Sequence, residues 1–92
     1  VGHLLACDQH WLLEERQFME RVRMVHAYDP GDPPGHAHRP LDGLAPAGRQ
    51  ALRRALAALA PGDPLVLEVF AWEGVARSAA ALRAWCGQWG LA

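Results

Sequence analysis

Apolar and polar positions along the chain switch between a two-residue and a 3.6-residue period, and these switches divide it into strands and helices. Residues 1 to 7 are mostly apolar and read as a short strand. Leu12, Leu13, Phe18 and Met19 then stand among Glu14, Glu15, Arg16 and Glu20, the pattern of a short amphipathic helix. Residues 22 to 28 alternate, with Val22, Met24, His26 and Tyr28 on one face of a second strand and Arg23, Val25 and Ala27 on the other. Asp29 to Ala45 is rich in Pro and Gly, and a loop of that length inside a compact domain is usually functional. Pro46 suits the first turn of a helix whose Leu52, Ala55, Leu56 and Leu59 form an apolar stripe while Arg49, Arg53 and Arg54 face out. The run Pro61-Gly62-Asp63-Pro64 ends it. Leu65 to Phe70 is the third strand, and a last helix from about Gly74 to Trp85 buries Val75, Ala79, Leu82 and Trp85 or Cys86.

This alternation predicts an α/β fold of three consecutive parallel βα units, with the 92 residues forming one partial domain. At about 31 residues per unit the spacing is that of the last part of a (β/α)8 TIM barrel of roughly 250 residues. An open flavodoxin-like sheet has a similar repeat. The polar residues favour the barrel. Asp8 and His10 follow the first strand, His26 and Asp29 end the second, and Glu68 lies late in the third, so all gather at the carboxyl ends where α/β active sites form. The chain opens on Val1 and an apolar run with no leader, which reads as a piece of a longer protein.

Charge narrows the partners. The net charge is -1, and all nine basic residues are arginines scattered along the chain, which does not favour nucleic acid. Cys7 and Cys86 lack metal or redox spacing, so a reduced, cytoplasmic setting is expected. No apolar run reaches membrane-spanning length.

The chemistry concentrates on His26 and Glu68. Each is an ionisable group at the tail of an apolar run, where it is costly unless paired or bound to a cation. Neighbouring strands lie about 5 Å apart, so an imidazole and a carboxylate on adjacent strand ends can share one site. Imidazole and carboxylate ligands with open positions suit Zn²⁺ or, with more carboxylate, Mn²⁺ or Mg²⁺. A plain His to Glu hydrogen bond is the alternative for the pair; taken singly, His26 is alternatively a hydrogen-bonded core histidine, and Glu68 a buried carboxylate that is neutral or paired with an arginine. His36 and His38 occupy the Pro/Gly-rich loop, where a solvated tip is the alternative to metal or substrate contact. Asp8 and His10 equally suit a helix cap. Trp72, Trp85 and Trp89 read as core or interface, and Trp11 as a possible pocket wall.

The order Asp8 and His10, His26 with Asp29, a His-bearing loop, and Leu-Val-Leu-Glu68-Val-Phe resembles the C-terminal third of the xylose-isomerase-like TIM barrels. That superfamily includes sugar-phosphate isomerases and epimerases, endonuclease-IV-type AP endonucleases and a cobamide-remodelling phosphodiesterase. The resemblance implies a divalent-metal site in which His26 and Glu68 are ligands and catalytic groups, with His10 and His38 as further ligands. His38, followed by Arg39-Pro40-Leu41, is similar to the loop histidine that binds an extra metal in phosphodiester-cleaving members. Asp8, Asp29, His36 and Arg39 are then the substrate contacts. The context of Phe70 and Ser78 is closest to the cobamide-remodelling branch. The chain departs from the family pattern in carrying His36-Ala37-His38 where nucleases have Asp-x-His, and Cys7 three residues before His10 in place of an aspartate.

These residues lead to an expected fragment of a divalent-metal-dependent sugar or sugar-phosphate isomerase or epimerase, partnered by a sugar or phosphate-ester substrate and by the rest of its barrel. A metal would stabilise an enediolate while Glu68 moves the proton. A metal-dependent phosphodiesterase is the second reading and would add His36, His38 and Asp29 as ligands. A non-catalytic α/β fragment pairing through its sheet edges is the third.

Overall fold

The computed structural model describes residues 1–91. Its centre is a two-stranded parallel sheet of β1 (Val25–Ala27) and β2 (Leu65–Leu67), with Val25 opposite Leu65, His26 opposite Val66 and Ala27 opposite Leu67. Around it lie α1 (Gly2–Ala6), α2 (Arg16–Met19), α3 (Pro46–Ala57) and α4 (Trp72–Trp89). Short 3-10 turns occupy His10–Glu14 and Leu41–Gly43. One βα unit, β1 with α3, leads back to β2, and α4 follows.

The expected three consecutive βα units are therefore corrected: among the described residues the sheet has two strands, so the chain is not the last part of an eight-fold barrel with three strands of its own. The segment expected as the first strand is helix α1. Its apolar positions explain why. Val1, Leu4 and Leu5 pack against the core, and their spacing of three and four places them on one helical face. Gly2 permits close approach, since a Cβ there would stand 2.5 Å from the Tyr28 ring.

The strands are also shorter than their apolar runs. Past Ala27 the backbone of Asp29 turns away from β2 and forms an antiparallel bridge with Arg39, each amide donating to the other's carbonyl at 2.9 Å. The Glu68 amide donates to the Ala27 carbonyl at 3.0 Å and closes the ladder. The first amphipathic helix is broken into the 3-10 turn and α2, because Glu15 is extended between them.

Val25 and Ala27 point into the core with Leu52 and Ala55 of α3, while His26 between them is exposed. The alternation expected over residues 22 to 28 holds for these three residues alone, since Tyr28, expected on the His26 face, is buried. The long loop is fastened from below by α4. The buried Ser78 hydroxyl accepts the Leu41 amide at 2.9 Å and donates to the Gly74 carbonyl at 2.7 Å. Arg77 pairs with Asp42 at 2.7 Å. Gly74 allows the same approach, since a Cβ there would stand 2.6 Å from Val69 and 3.2 Å from Pro40. No helix of the described residues is long and apolar enough to cross a membrane.

Candidate functional site

His26 and Glu68 meet because parallel pairing brings the carboxyl ends of β1 and β2 side by side. The His26 Nδ1 is hydrogen-bonded to Glu68 Oε1. The other carboxylate oxygen, Oε2, lies 3.6 Å from His38 Nδ1, and that same Nδ1 is 3.0 Å from the Glu68 carbonyl. A carbonyl or carboxylate oxygen only accepts, so both imidazoles carry a proton on Nδ1 and donate from it. The Nε2 of each ring is then the nitrogen facing away from Glu68. Met24 Sδ lies 3.0 Å from His26 Nε2 and covers it. The site is open to solutes, with side-chain exposures of 48% for His26, 30% for Glu68 and 24% for His38.

His38 is held by more than its hydrogen bond. Its ring is sandwiched, with Tyr28 at 3.8 Å between centroids and 15° between planes, and Phe70 at 5.0 Å and 27°. The loop that carries it is pinned by the Asp29–Arg39 bridge and by Ser78. A loop residue is thus given a fixed position beside two strand ends. Phe70, stacked on His38, is 84% exposed, and Trp72 is 83% exposed. Trp72 is accordingly not a core residue.

Tyr28 is buried, and its phenol pKa is raised above the ordinary value of 10.0 by that burial, by the Glu68 carboxylate and, least, by Cys7. The neutral phenol is the form favoured by the fold. Its contribution to stability is therefore present below about pH 10 and is lost as the pH rises through the folded value. Tyr28 is the sole tyrosine, so phenolate absorbance reports it alone. Its titration midpoint is expected above that of free tyrosine, and Glu68→Gln is expected to lower it. A midpoint unchanged by that substitution would separate Tyr28 from Glu68.

The other expected site residues are placed differently. Asp29 is buried, and its Oδ1 accepts the Gly31 amide at 2.8 Å, so it closes a turn rather than presenting itself to a substrate. Gly31, at φ +89°, gives that turn a conformation suited to glycine. His36 and Arg39 are exposed on the loop. Asp8 and His10 stand 3.9 Å apart and are not joined to the His26 cluster; His10 instead lines a cavity with Trp11, Glu14 and Arg54. Asp8 occupies the left-handed region at φ +54°, which Asp tolerates.

Of the four residues expected as ligands, His26, Glu68 and His38 stand together and His10 stands apart. Two imidazoles and one carboxylate fit a borderline or hard divalent cation in donor type. Among the described residues, however, no group of three His, Cys, Asp or Glu side chains is already arranged around a common point. Each histidine is hydrogen-bonded to Glu68, and a cation would replace those internal hydrogen bonds. Tyr28, Met24 and Phe70 join this site without having been expected in it. Tyr28 and Met24 lie two residues either side of His26, which is the signal that they share its strand face. The chain matches no protein-family model, no curated protein and no solved structure.

Proposed function

We propose that the chain carries the divalent-metal site of an enzyme that isomerises or epimerises a sugar or sugar phosphate, in kinship with the metal-dependent isomerases its residues resemble. The observation that supports this reading is the convergence of His26, His38 and Glu68 at the carboxyl ends of two parallel strands. His26 and Glu68 come from β1 and the end of β2, and His38 arrives from a loop fastened to α4. The cation, when bound, supplies Lewis-acid polarisation of a carbonyl or hydroxyl. Glu68 is the carboxylate at the strand ends available to accept and return a proton, and before a cation binds it accepts the His26 Nδ1–H. Tyr28 and Phe70 hold His38 in place from both faces. The reading carries with it a cytoplasmic setting, in keeping with the free thiols of Cys7 and Cys86.

The phosphodiester-cleaving reading is less well supported, because it needs Asp29 and His36 as added ligands. Asp29 is committed to its own turn, and His36 is exposed at the loop.

Calorimetric titration with Zn²⁺, Mn²⁺ and Mg²⁺ tests the proposal. Saturable binding of one equivalent is expected, weakened at least about 10-fold in His38→Ala and His26→Gln. Binding should fall as the pH drops, since protonated imidazole cannot ligate. No binding of any of the three, or binding indifferent to both substitutions, would remove the metal site.

A further inference from the structure

The ring nitrogen of His26 that faces away from Glu68 has a neighbour of its own. Nε2 lies 3.0 Å from the thioether sulfur of Met24. Because Nδ1 carries the proton that Glu68 receives, Nε2 of the neutral ring presents a lone pair. A thioether sulfur likewise has only lone pairs to offer. Two acceptors thus stand in contact with no hydrogen between them, an arrangement that a cation receiving both pairs turns into two bonds.

The backbone sets up this contact. Met24 directly precedes β1 and lies two residues before His26, a spacing that puts both side chains on one side of an extended chain. Met24 is 50% exposed, whereas Val25 and Ala27 are buried, so the sulfur is not serving as core filling. Glu68 stands behind the ring, where it fixes the tautomer and raises the basicity of Nε2, the support that metal-binding histidines commonly receive. With bonds of about 2.3 Å to sulfur and about 2.0 Å to nitrogen, the lengths a d10 ion makes, atoms 3.0 Å apart subtend about 90° at the ion. The pair is therefore a chelate that needs no movement of either side chain.

We propose that Met24 Sδ and His26 Nε2 bind a soft monovalent cation, Cu(I) above others. Imidazole by itself suits several transition metals, and the thioether narrows the choice toward Cu(I) and away from the oxygen-seeking Mg²⁺ and Mn²⁺. The ion takes the nitrogen opposite Glu68 and leaves the His26 to Glu68 hydrogen bond in place. Met24 has no part in the divalent site proposed above, so this inference does not rest on that reading and is tested whether or not Zn²⁺ binds.

The test is a titration of Cu(I), without oxygen, against a chromogenic Cu(I) chelator, in a chain where Cys7→Ser and Cys86→Ser remove the competing free thiols. Saturable binding of one equivalent is expected. Met24→Leu, which keeps the size and removes the sulfur, should weaken it at least about 10-fold, and Met19→Leu should leave it unchanged. Met19 belongs to α2 and packs against the core, so its methyl serves as an internal reference. In methyl NMR spectra the Met24 resonance should move with added Cu(I) until saturation while the Met19 resonance stays in place. Circular dichroism establishes that each variant is folded. Should the cysteine substitutions prevent folding, the methyl spectrum of the native chain, titrated beyond the two equivalents its thiols take up, carries the same test. Equal affinity in Met24→Leu, a Met24 methyl that stays in place at saturation, or a Met19 methyl that moves as far would overturn the proposal.

Discussion

Glu68→Gln is expected to weaken the proposed divalent-cation binding at least about 100-fold and to abolish the proposed isomerase or epimerase turnover. Loss of a group that merely orients a ligand typically costs 10- to 100-fold in affinity, and Glu68 is proposed as a ligand itself. Glutamine preserves the length and one oxygen acceptor for the His26 Nδ1–H, so the fold keeps its hydrogen bond while the charge is removed. The substitution therefore separates charge from packing. Calorimetry with the cation that binds the native chain most tightly reads the first effect, and turnover of an aldose or ketose phosphate reads the second. Native metal affinity in a folded Glu68→Gln protein would exclude Glu68 from the site. Glu68→Asp keeps the charge but withdraws it by one methylene, and intermediate affinity is expected.

Ser78→Val is expected to lower stability by about 3 kcal/mol, the sum of an orphaned amide and an overfilled site. Ser78 is fully buried, and its hydroxyl is the acceptor of the Leu41 amide and a donor to the Gly74 carbonyl. Valine leaves the Leu41 N–H without a partner, which alone costs about 1–3 kcal/mol. It also places a second methyl where α4 packs closely on the loop, as the contacts around Gly74 show. Urea denaturation should show a lower midpoint at an unchanged slope. Because Ser78 tethers the loop that carries His38, the same variant should bind metal more weakly than the native chain even where it is fully folded. An unchanged midpoint would mean that this hydroxyl is not the tether.

Strand β1 and helix α3 were legible in the sequence. Val25 and Ala27 alternate with His26, and the core takes the first two and rejects the third, as a period of two requires. Pro46 opens α3, and Pro61 to Pro64 lie beyond its end at Ala57. Pairing of His26 with Glu68 followed from placing each at the tail of an apolar run. The first segment reads as a strand yet folds as helix α1, because a run of apolar residues without clear polar interruptions suits a strand and a short helix alike. Only its spacing of Val1, Leu4 and Leu5 distinguished the two, and that spacing gains meaning once Tyr28 lies beneath Gly2.

The loop was legible in extent but not in shape. Composition marks residues 29 to 45 as irregular. It does not reveal that Asp29 pairs with Arg39, that Asp29 spends its carboxylate on Gly31, or that His38 slides between Tyr28 and Phe70. Each of these joins residues whose proximity no local period encodes.

What the sequence by itself determined is therefore the chemistry and its local bearings: two strand-forming runs, each with an ionisable residue at its carboxyl end, and a histidine-bearing loop between them. Side-chain periodicity and backbone stereochemistry are local properties, and they act within a few residues. The tertiary structure decided which of those groups meet. Parallel pairing set Glu68 beside His26, the α4 tether at Ser78 carried His38 to them, and Asp8 and His10 were left apart with α3. Such contacts depend on long-range burial and on the closing of backbone hydrogen bonds, quantities that belong to the whole folded chain and to no single segment of it.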